Sequence, residues 1–489
     1  MNGANPVVDQ RQDRDALTLL FMSLEDAHEP RGRLLTGGCR LVRDESPPEG
    51  LEEDLNEFAQ DLAFTSLQEP DGTIHVWYSL RRSPERFLVE RLGAEQASAR
   101  SHSESDKTFS LTRPGWDPSR LKWQVCYART RDGIHFERPD LGIVADAKSP
   151  NVLIDNGGIF SVMRNDDAPD PNRRYAMIHT GWGPVHPEGP LPGYHPVHNA
   201  GAAFSADGLH WQEWEHNPAF RDGNDAFSAI YDPRSRKYLC YQAVKRPFAA
   251  ALADSIGPDQ RRVLAIRSSD DGAHWSRLEN FIEPDDDDPP DLELYMFTVF
   301  AYRDRFVGLM RNYARSPLMI GEHGPHISYE WWVSHDGRRW QRPAREMHAG
   351  VFTTCTPFVV DGRLCFLEYN TMRRYSTPVD RITWVGSQSN AEFSSRLFKV
   401  PQRPLTVNLQ SGTGTLLPDQ AYVMVEVRQP DGSAIEGYER ERCVLSDVDG
   451  IALPLRWGEK DTTDLAGRDV CLRFYLRDAR IFATRASSL

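Results

Sequence analysis

The apolar residues fall in short runs of strand length, each bounded by Asp, Gly or Pro. Ala16-Leu17-Thr18-Leu19-Leu20-Phe21-Met22 reads as a buried strand, and residues 44–57 as an acidic, turn-forming stretch. Leu62-Ala63-Phe64-Thr65 and Ile74-His75-Val76-Trp77-Tyr78 flank Pro70-Asp71-Gly72 and predict a β-hairpin. Residues 94–112, rich in Ser, Ala and Glu, read as an insertion, and Lys122 to Ala128 as a further strand. The pattern then repeats. Hairpins are predicted at 158–180, 225–244, 293–310 and 352–369, turning at Asp167 to Arg174, Asp232-Pro233-Arg234, Tyr302-Arg303-Asp304-Arg305 and Asp361-Gly362.

A second pattern is interleaved with the hairpins. Thr130-Arg131-Asp132-Gly133-Ile134-His135-Phe136 has a hydroxyl, any residue, Asp, Gly, two residues and an aromatic. The same skeleton returns at Ser205 to Trp211, Ser269 to Trp275 and Ser334 to Trp340. Asp bonds nearby amides and Gly accepts positive φ, so each copy predicts a tight turn that its aromatic plugs onto a sheet. Recurrence at long, similar intervals indicates a repeat architecture. Hairpins that are each followed by another strand pair make four-stranded units, the composition of propeller blades. After about residue 396 the pattern changes to short strands with turn punctuation: Leu405 to Asn408, Ala421 to Val427, Val444-Leu445, Ala452 to Trp457 and Val470 to Leu476. Phe474, Leu476 and Ile481 are its expected core. The expected fold is all-β: a disordered lead-in at 1–15, a five-bladed β-propeller over 16–395, and a β-sandwich over 396–489.

Composition narrows the functional classes. A formal net charge of -14 opposes a nucleic-acid-binding surface, and no apolar window is long enough to span a membrane. The seven Cys are scattered singly with no CxxC pair, which points to reduced thiols and a cytoplasmic location rather than a disulfide framework or zinc knuckle. Nothing in the N-terminal stretch from Met1 to Pro6 suggests a signal peptide. There is no Gly-rich phosphate loop, so no cofactor is expected. The acidic run Asp285 to Asp288 lacks the spaced ligands of a calcium loop and reads as a solvated loop.

Several stretches carry a family resemblance. They are Tyr127-Ala128-Arg129-Thr130-Arg131-Asp132-Gly133-Ile134-His135-Phe136-Glu137-Arg138-Pro139, Gly223-Asn224-Asp225, and the run from Leu465 to Ala479. From about residue 120 onward the chain resembles the five-bladed propeller glycoside hydrolases, the group of fructosidases and arabinanases. It is most similar there to a bacterial, fructosidase-like branch. The resemblance implies a carbohydrate substrate and carboxylate catalysis.

In a propeller the starts of the innermost strands converge on one mouth. Glycoside cleavage needs two carboxyl groups there, roughly 5 Å apart for retention and roughly 6.5–9.5 Å apart for inversion. Asp61, Asp225 and Glu293 precede or open inner strands. One of Asp225 and Glu293 would be the general acid, and the other, or Asp61, the base or nucleophile. A Pro/Gly-rich segment after the second hairpin would form a loop over the mouth. Its Trp182 and Tyr194 would stack on a sugar ring, with His179 and Asn224 beside them. Arg311 would clamp a substrate carboxylate or hydroxyl. The Asn-Asp-Pro-Asn and Arg-Asp-Pro motifs of true fructosidases are absent. A non-catalytic carbohydrate-binding propeller and a phosphate-using phosphorylase therefore stand as alternatives. The stiff link from Phe398 to Pro404 makes the C-terminal sandwich an expected buttress on the propeller. Oligomeric state is not legible.

Overall fold

The computed structural model describes residues 17–57, 64–81, 123–144, 149–155, 160–179, 200–220, 226–248, 260–314, 326–345, 347–412 and 420–486. The expected lead-in at 1–15 and the insertion at 94–112 lie outside these residues. Seven antiparallel sheets carry the described chain, five of them small. Sheet I is formed by Phe64–Gln68, Ile74–Arg81, Trp123–Thr130 and Phe136–Glu137, with Val152–Asp155 also on its third strand. Sheet II is formed by Phe160–Arg164, Tyr175–His179, Gly201–Ser205 and Gln212–Glu213. Sheet III is formed by Phe227–Asp232, Lys237–Pro247, Gln260–Ser269 and Glu279–Ile282. Sheet IV is formed by Leu292–Tyr302, Arg305–Ala314 and His326–Ser334. Sheet V is formed by Phe358–Val360, Arg363–Leu367 and Arg374–Pro378, and its last strand, Val42–Arg43, comes from far upstream.

Hydroxyl side chains join the first strands of these sheets into a closed ring. Thr65 Oγ1 accepts from the Val162 amide at 3.2 Å, linking sheets I and II. Ser161 Oγ donates to the Ala229 carbonyl and accepts from the Ala229 amide, both at 3.0 Å. Ser228 Oγ donates to the Phe297 carbonyl at 2.6 Å. Thr298 Oγ1 donates to the Thr353 carbonyl at 2.6 Å, and Thr354 Oγ1 returns to the Phe64 carbonyl at 3.0 Å. A hydroxyl can donate and accept at once, so one side chain satisfies inner-strand groups that have no further strand to pair with.

The recurring Asp-Gly turns supply the outer contacts between sheets. In the 207 turn the Asp207 carboxylate accepts from the Leu209 and His210 amides at 2.8 and 2.9 Å, and Ser205 Oγ accepts from Gly208. Gly208 has φ +77°, and an added Cβ would sit 2.8 Å from Trp77 of sheet I. Its carbonyl accepts from Trp77 Nε1 at 2.7 Å. Likewise Tyr241 of sheet III donates to the Gly337 carbonyl at 2.9 Å. Each turn thus docks on the preceding sheet, which is why the motif recurs. Burial would raise the Asp271 carboxyl, but hydrogen bonds from the His274 ring and from the His274 and Ala273 amides bring it down to about 2.

The remaining two sheets pack as a β-sandwich. One holds Thr18–Leu20, Leu35–Gly38, Thr383–Ser387, Thr406–Ser411, Asp449–Pro454 and Ala479–Arg485. The other holds His28–Arg31, Ala391–Ser394, Phe398–Lys399, Tyr422–Arg428, Val444–Ser446 and Asp469–Arg477. Phe474, Leu476 and Ile481 are fully buried in its core. Phe21 packs edge-on against Phe393 and Phe474, with centroids 5.4 and 5.3 Å away. The strand pairing therefore divides the chain differently from 16–395 and 396–489. Thr18–Leu20 pairs with Arg485 to Ala483 in the sandwich, and the strands at 383–387 and 391–394 belong there too. An apolar run reports burial but not its partner, so the sequence pattern could not assign these strands. A short helix, Glu52–Glu57, stands where turns were expected.

Buried ion pairs tie the two parts together. The Asp380 carboxylate has no exposure and meets Arg303 of sheet IV at 2.8 Å and Arg485 of the sandwich. Tyr302 donates to it at 2.5 Å. Arg305 of sheet IV pairs with Asp26 at 2.6 Å.

Candidate functional site

The first and third strands of each small sheet run the same way. Every Asp-Gly turn follows a third strand, so the turns lie at the end opposite the inner-strand starts. Asp132, Asp207, Asp271 and Asp336 are therefore remote from the mouth, and their bonds are spent within their own turns.

Glu293 is the second residue of the inner strand Leu292–Tyr302 and is 1% exposed. Its carboxylate pairs with Arg262, which reaches over from the third strand of sheet III. Register slips between Leu294 and Met296, leaving Tyr295 as the extra residue of a bulge. The bulge places Tyr295 and Met296, both half-buried, side by side near the strand start. Tyr295 lies between two cations: the guanidinium carbon of Arg262 is 4.9 Å from its ring centre, and that of Arg311 is 5.6 Å away. Arg262 also lies 5.4 Å from the Tyr313 ring.

Arg311 sits on the second strand of sheet IV, opposite Met296. Its guanidinium carbon is 5.7 Å from the Phe352 ring. Nη1 touches the Met296 thioether at 3.8 Å, and among the described residues the buried Nε has no hydrogen-bond partner. Phe352 stacks on Tyr329 and meets Tyr369 edge-on, each at 5.6 Å. Next to Tyr369, Glu368 accepts from Thr371 and from Tyr375 Oη. Burial, then the Glu368 carboxylate, raises the Tyr375 hydroxyl above its ordinary value. Glu368 lies just past the second strand of sheet V, at the same end as Glu293. The end of sheets IV and V thus combines two carboxylates, a ladder of aromatic rings, and a guanidinium with an unused donor.

Of the residues expected at the mouth, the structure links Glu293 and Arg311 through one ring: Glu293 pairs with Arg262, and both Arg262 and Arg311 lie by Tyr295. His179 ends the second strand of sheet II, opposite Phe160 at the inner-strand start, and its Nε2 pairs with Glu213 Oε1 at 3.0 Å on the outer strand of that sheet. Its ring also closes over Gly201, where a Cβ would lie 2.8 Å from Cε1. Asp61, Asp225, Asn224, Trp182 and Tyr194 lie outside the described residues. Arg262, Tyr295, Phe352 and Glu368 did not figure among the expected site residues. A bulge leaves no fixed mark in sequence, and a cation from the neighbouring sheet is invisible until the ring closes. The acidic run at 285–288 is not simply solvated, because Asp288 meets Arg342 at 2.6 Å and Arg345 at 3.0 Å. Among the described residues no group of three or more His, Cys, Asp or Glu is placed to hold a metal.

A ring of small sheets with inner strands around an axis, joined to a two-sheet sandwich, defines the class: a β-propeller protein with a β-sandwich. Solved structures give the following likenesses. A fructofuranosidase from Schwanniomyces occidentalis complexed with fructosylnystose is 10% identical, with 96% of this chain and 99% of that chain covered, at a TM-score of 0.38. A glycosyl hydrolase from Bacteroides ovatus is 14% identical, covering 70% and 93%, at 0.37. A protein of unknown function from Dyadobacter fermentans is 12% identical, covering 76% and 95%, at 0.35. No family model matches the chain and no curated protein matches it.

Proposed function

We propose that this protein is a glycoside hydrolase-like enzyme acting on a small soluble glycoside at the propeller mouth. The observation that carries the reading is Glu293, a buried carboxylate at an inner-strand start, paired with Arg262, whose guanidinium lies by the Tyr295 and Tyr313 rings. Aromatic faces suit the apolar face of a sugar ring. A fixed carboxylate supplies one half of the pair that glycoside cleavage needs. Arg262 orients it, and Asp225, Asp61 or Glu368 supplies the second carboxyl. One of the pair protonates the leaving oxygen while the other activates water or attacks the anomeric carbon. Arg311, with Tyr295 and Phe352 on either side, binds substrate.

The test is a panel of aryl furanosides and pyranosides with the purified full chain, read by chromophore release. Release by wild type, lost in Glu293→Gln and weakened in Asp225→Asn, supports the enzyme. Full activity in both variants rejects this choice of carboxylates.

One observation favours a second reading. Glu293 is nearly inaccessible and already paired with Arg262, as a carboxylate with a purely structural duty would be. A carbohydrate-binding propeller without catalysis would then bind oligosaccharides by calorimetry and release no product. Turnover that depends on added phosphate would instead indicate a phosphorylase.

A further inference from the structure

We propose that Arg311 makes the mouth selective for an anionic sugar, one that carries a carboxylate; this rests on the carbohydrate reading above. The guanidinium offers five N–H donors in a planar fork. Among the described residues its one polar contact is the Met296 thioether, a weak acceptor, and its buried Nε bonds to nothing. A buried donor without a partner is costly, and a bound oxyanion relieves that cost. Other buried or half-buried arginines of sheets III and IV and the turn that follows are not in this state. Arg262 pairs with Glu293, Arg303 with Asp380, Arg305 with Asp26, and Arg342 with both Glu330 and Asp288. The chain carries a net charge of -14, yet among the described residues no acid forms an ion pair with this cation.

The side chain is also held ready. Tyr295 and Phe352 lie 5.6 and 5.7 Å from its guanidinium carbon and limit the directions the fork can take. A planar fork fixed in place suits bidentate recognition of a carboxylate. One unpaired guanidinium balances one negative charge. A phosphate dianion would call on a second cation, and Arg262, which shares the Tyr295 ring, already serves Glu293. The same aromatic faces then receive the body of the sugar whose acid group the fork holds.

The experiment is calorimetry on the full chain with matched pairs of oligosaccharides. Di- and trisaccharides ending in glucuronate or galacturonate are each compared with their glucose or galactose counterpart. The expected result is at least one acidic member bound about tenfold or more tightly than its neutral partner, with the preference shrinking as salt rises. Arg311→Met removes the preference. Arg311→Lys keeps part of it, because the charge remains and the fork does not. Circular dichroism and thermal melts check that both variants fold, and the salt series on wild type needs no variant. Equal binding of both members, or a preference that survives Arg311→Met, overturns the proposal. Neutral sugars bound and cleaved with no acidic binding overturn it alone, leaving the enzyme reading intact. No binding by any sugar overturns both. Binding of inorganic phosphate that Arg311→Met abolishes, with no uronate binding, shows the fork serves a different anion and rejects the carboxylate.

Discussion

Replacing Asp380 by Asn probes whether propeller and sandwich form one cooperative unit. The Asp380 side chain has no exposure and gathers hydrogen bonds from Tyr302 Oη at 2.5 Å and Arg303 Nε at 2.8 Å. Arg485 Nε, from the last strand of the sandwich, completes the cluster. Asn keeps the shape and one acceptor but turns an NH2 group toward a guanidinium and leaves two buried cations without their counter-charge. Removing one partner of a buried pair costs about 3–5 kcal/mol. That is a large part of a typical folding stability of about 5–15 kcal/mol. The assay is urea unfolding of the full chain, followed by tryptophan fluorescence and far-ultraviolet circular dichroism. Asp286→Asn, at an exposed position, is the control and should move stability by no more than about 0.5 kcal/mol. Burial alone would raise the Asp380 carboxyl, but Arg303 and Arg485 outweigh it and hold it below its ordinary value. Its stabilisation is therefore present above the unfolded carboxylate range, about 3.9, and is lost as pH falls below it. Wild type should lose more stability than Asp380→Asn on acidification through that range. A change under about 1 kcal/mol at neutral pH, with parallel acid profiles, would refute the coupling role.

Two further outcomes follow from the packing. Gly208→Ala places a Cβ at positive φ and 2.8 Å from Trp77, so it should cost about 1–3 kcal/mol in urea unfolding, whereas Gly432→Ala, with open space around it, should show only the backbone cost. The Cys240 thiol, fully buried and pushed up to about 12 by desolvation, should resist a disulfide-exchange reagent at pH 8 and react only on denaturation, at the unfolding rate measured by fluorescence.

Much of the architecture was legible because it is local. The hairpins at Ile74, Tyr175 and Lys237 are set by apolar runs flanking turn residues, and the Asp-Gly skeleton repeats because each sheet needs the same plug. What stayed hidden depends on distant pairing. Val42–Arg43 completes sheet V beside Tyr375 and Ser376, and Thr18–Leu20 joins the sandwich beside Ala483. Neither partner can be inferred from a short run alone. The site divides in the same way. Glu293 was legible as an acid opening an inner strand, and Arg311 as a candidate clamp on substrate. Arg262 comes from sheet III, and Phe352 precedes the first strand of sheet V, so only the packing of adjacent sheets brings each to sheet IV. His179 lies at the inner-strand-start end of sheet II, where Glu213 on its own sheet pairs with the ring.

The central claim is that Glu293 takes part in breaking a glycosidic bond. The most direct test is the turnover number of Glu293→Gln on the best substrate of the glycoside panel, measured beside wild type with binding followed by calorimetry. A loss of about a hundredfold or more in kcat, with substrate affinity within a few-fold and the melting temperature little changed, is the predicted result. Unchanged turnover in a folded Glu293→Gln protein would contradict it.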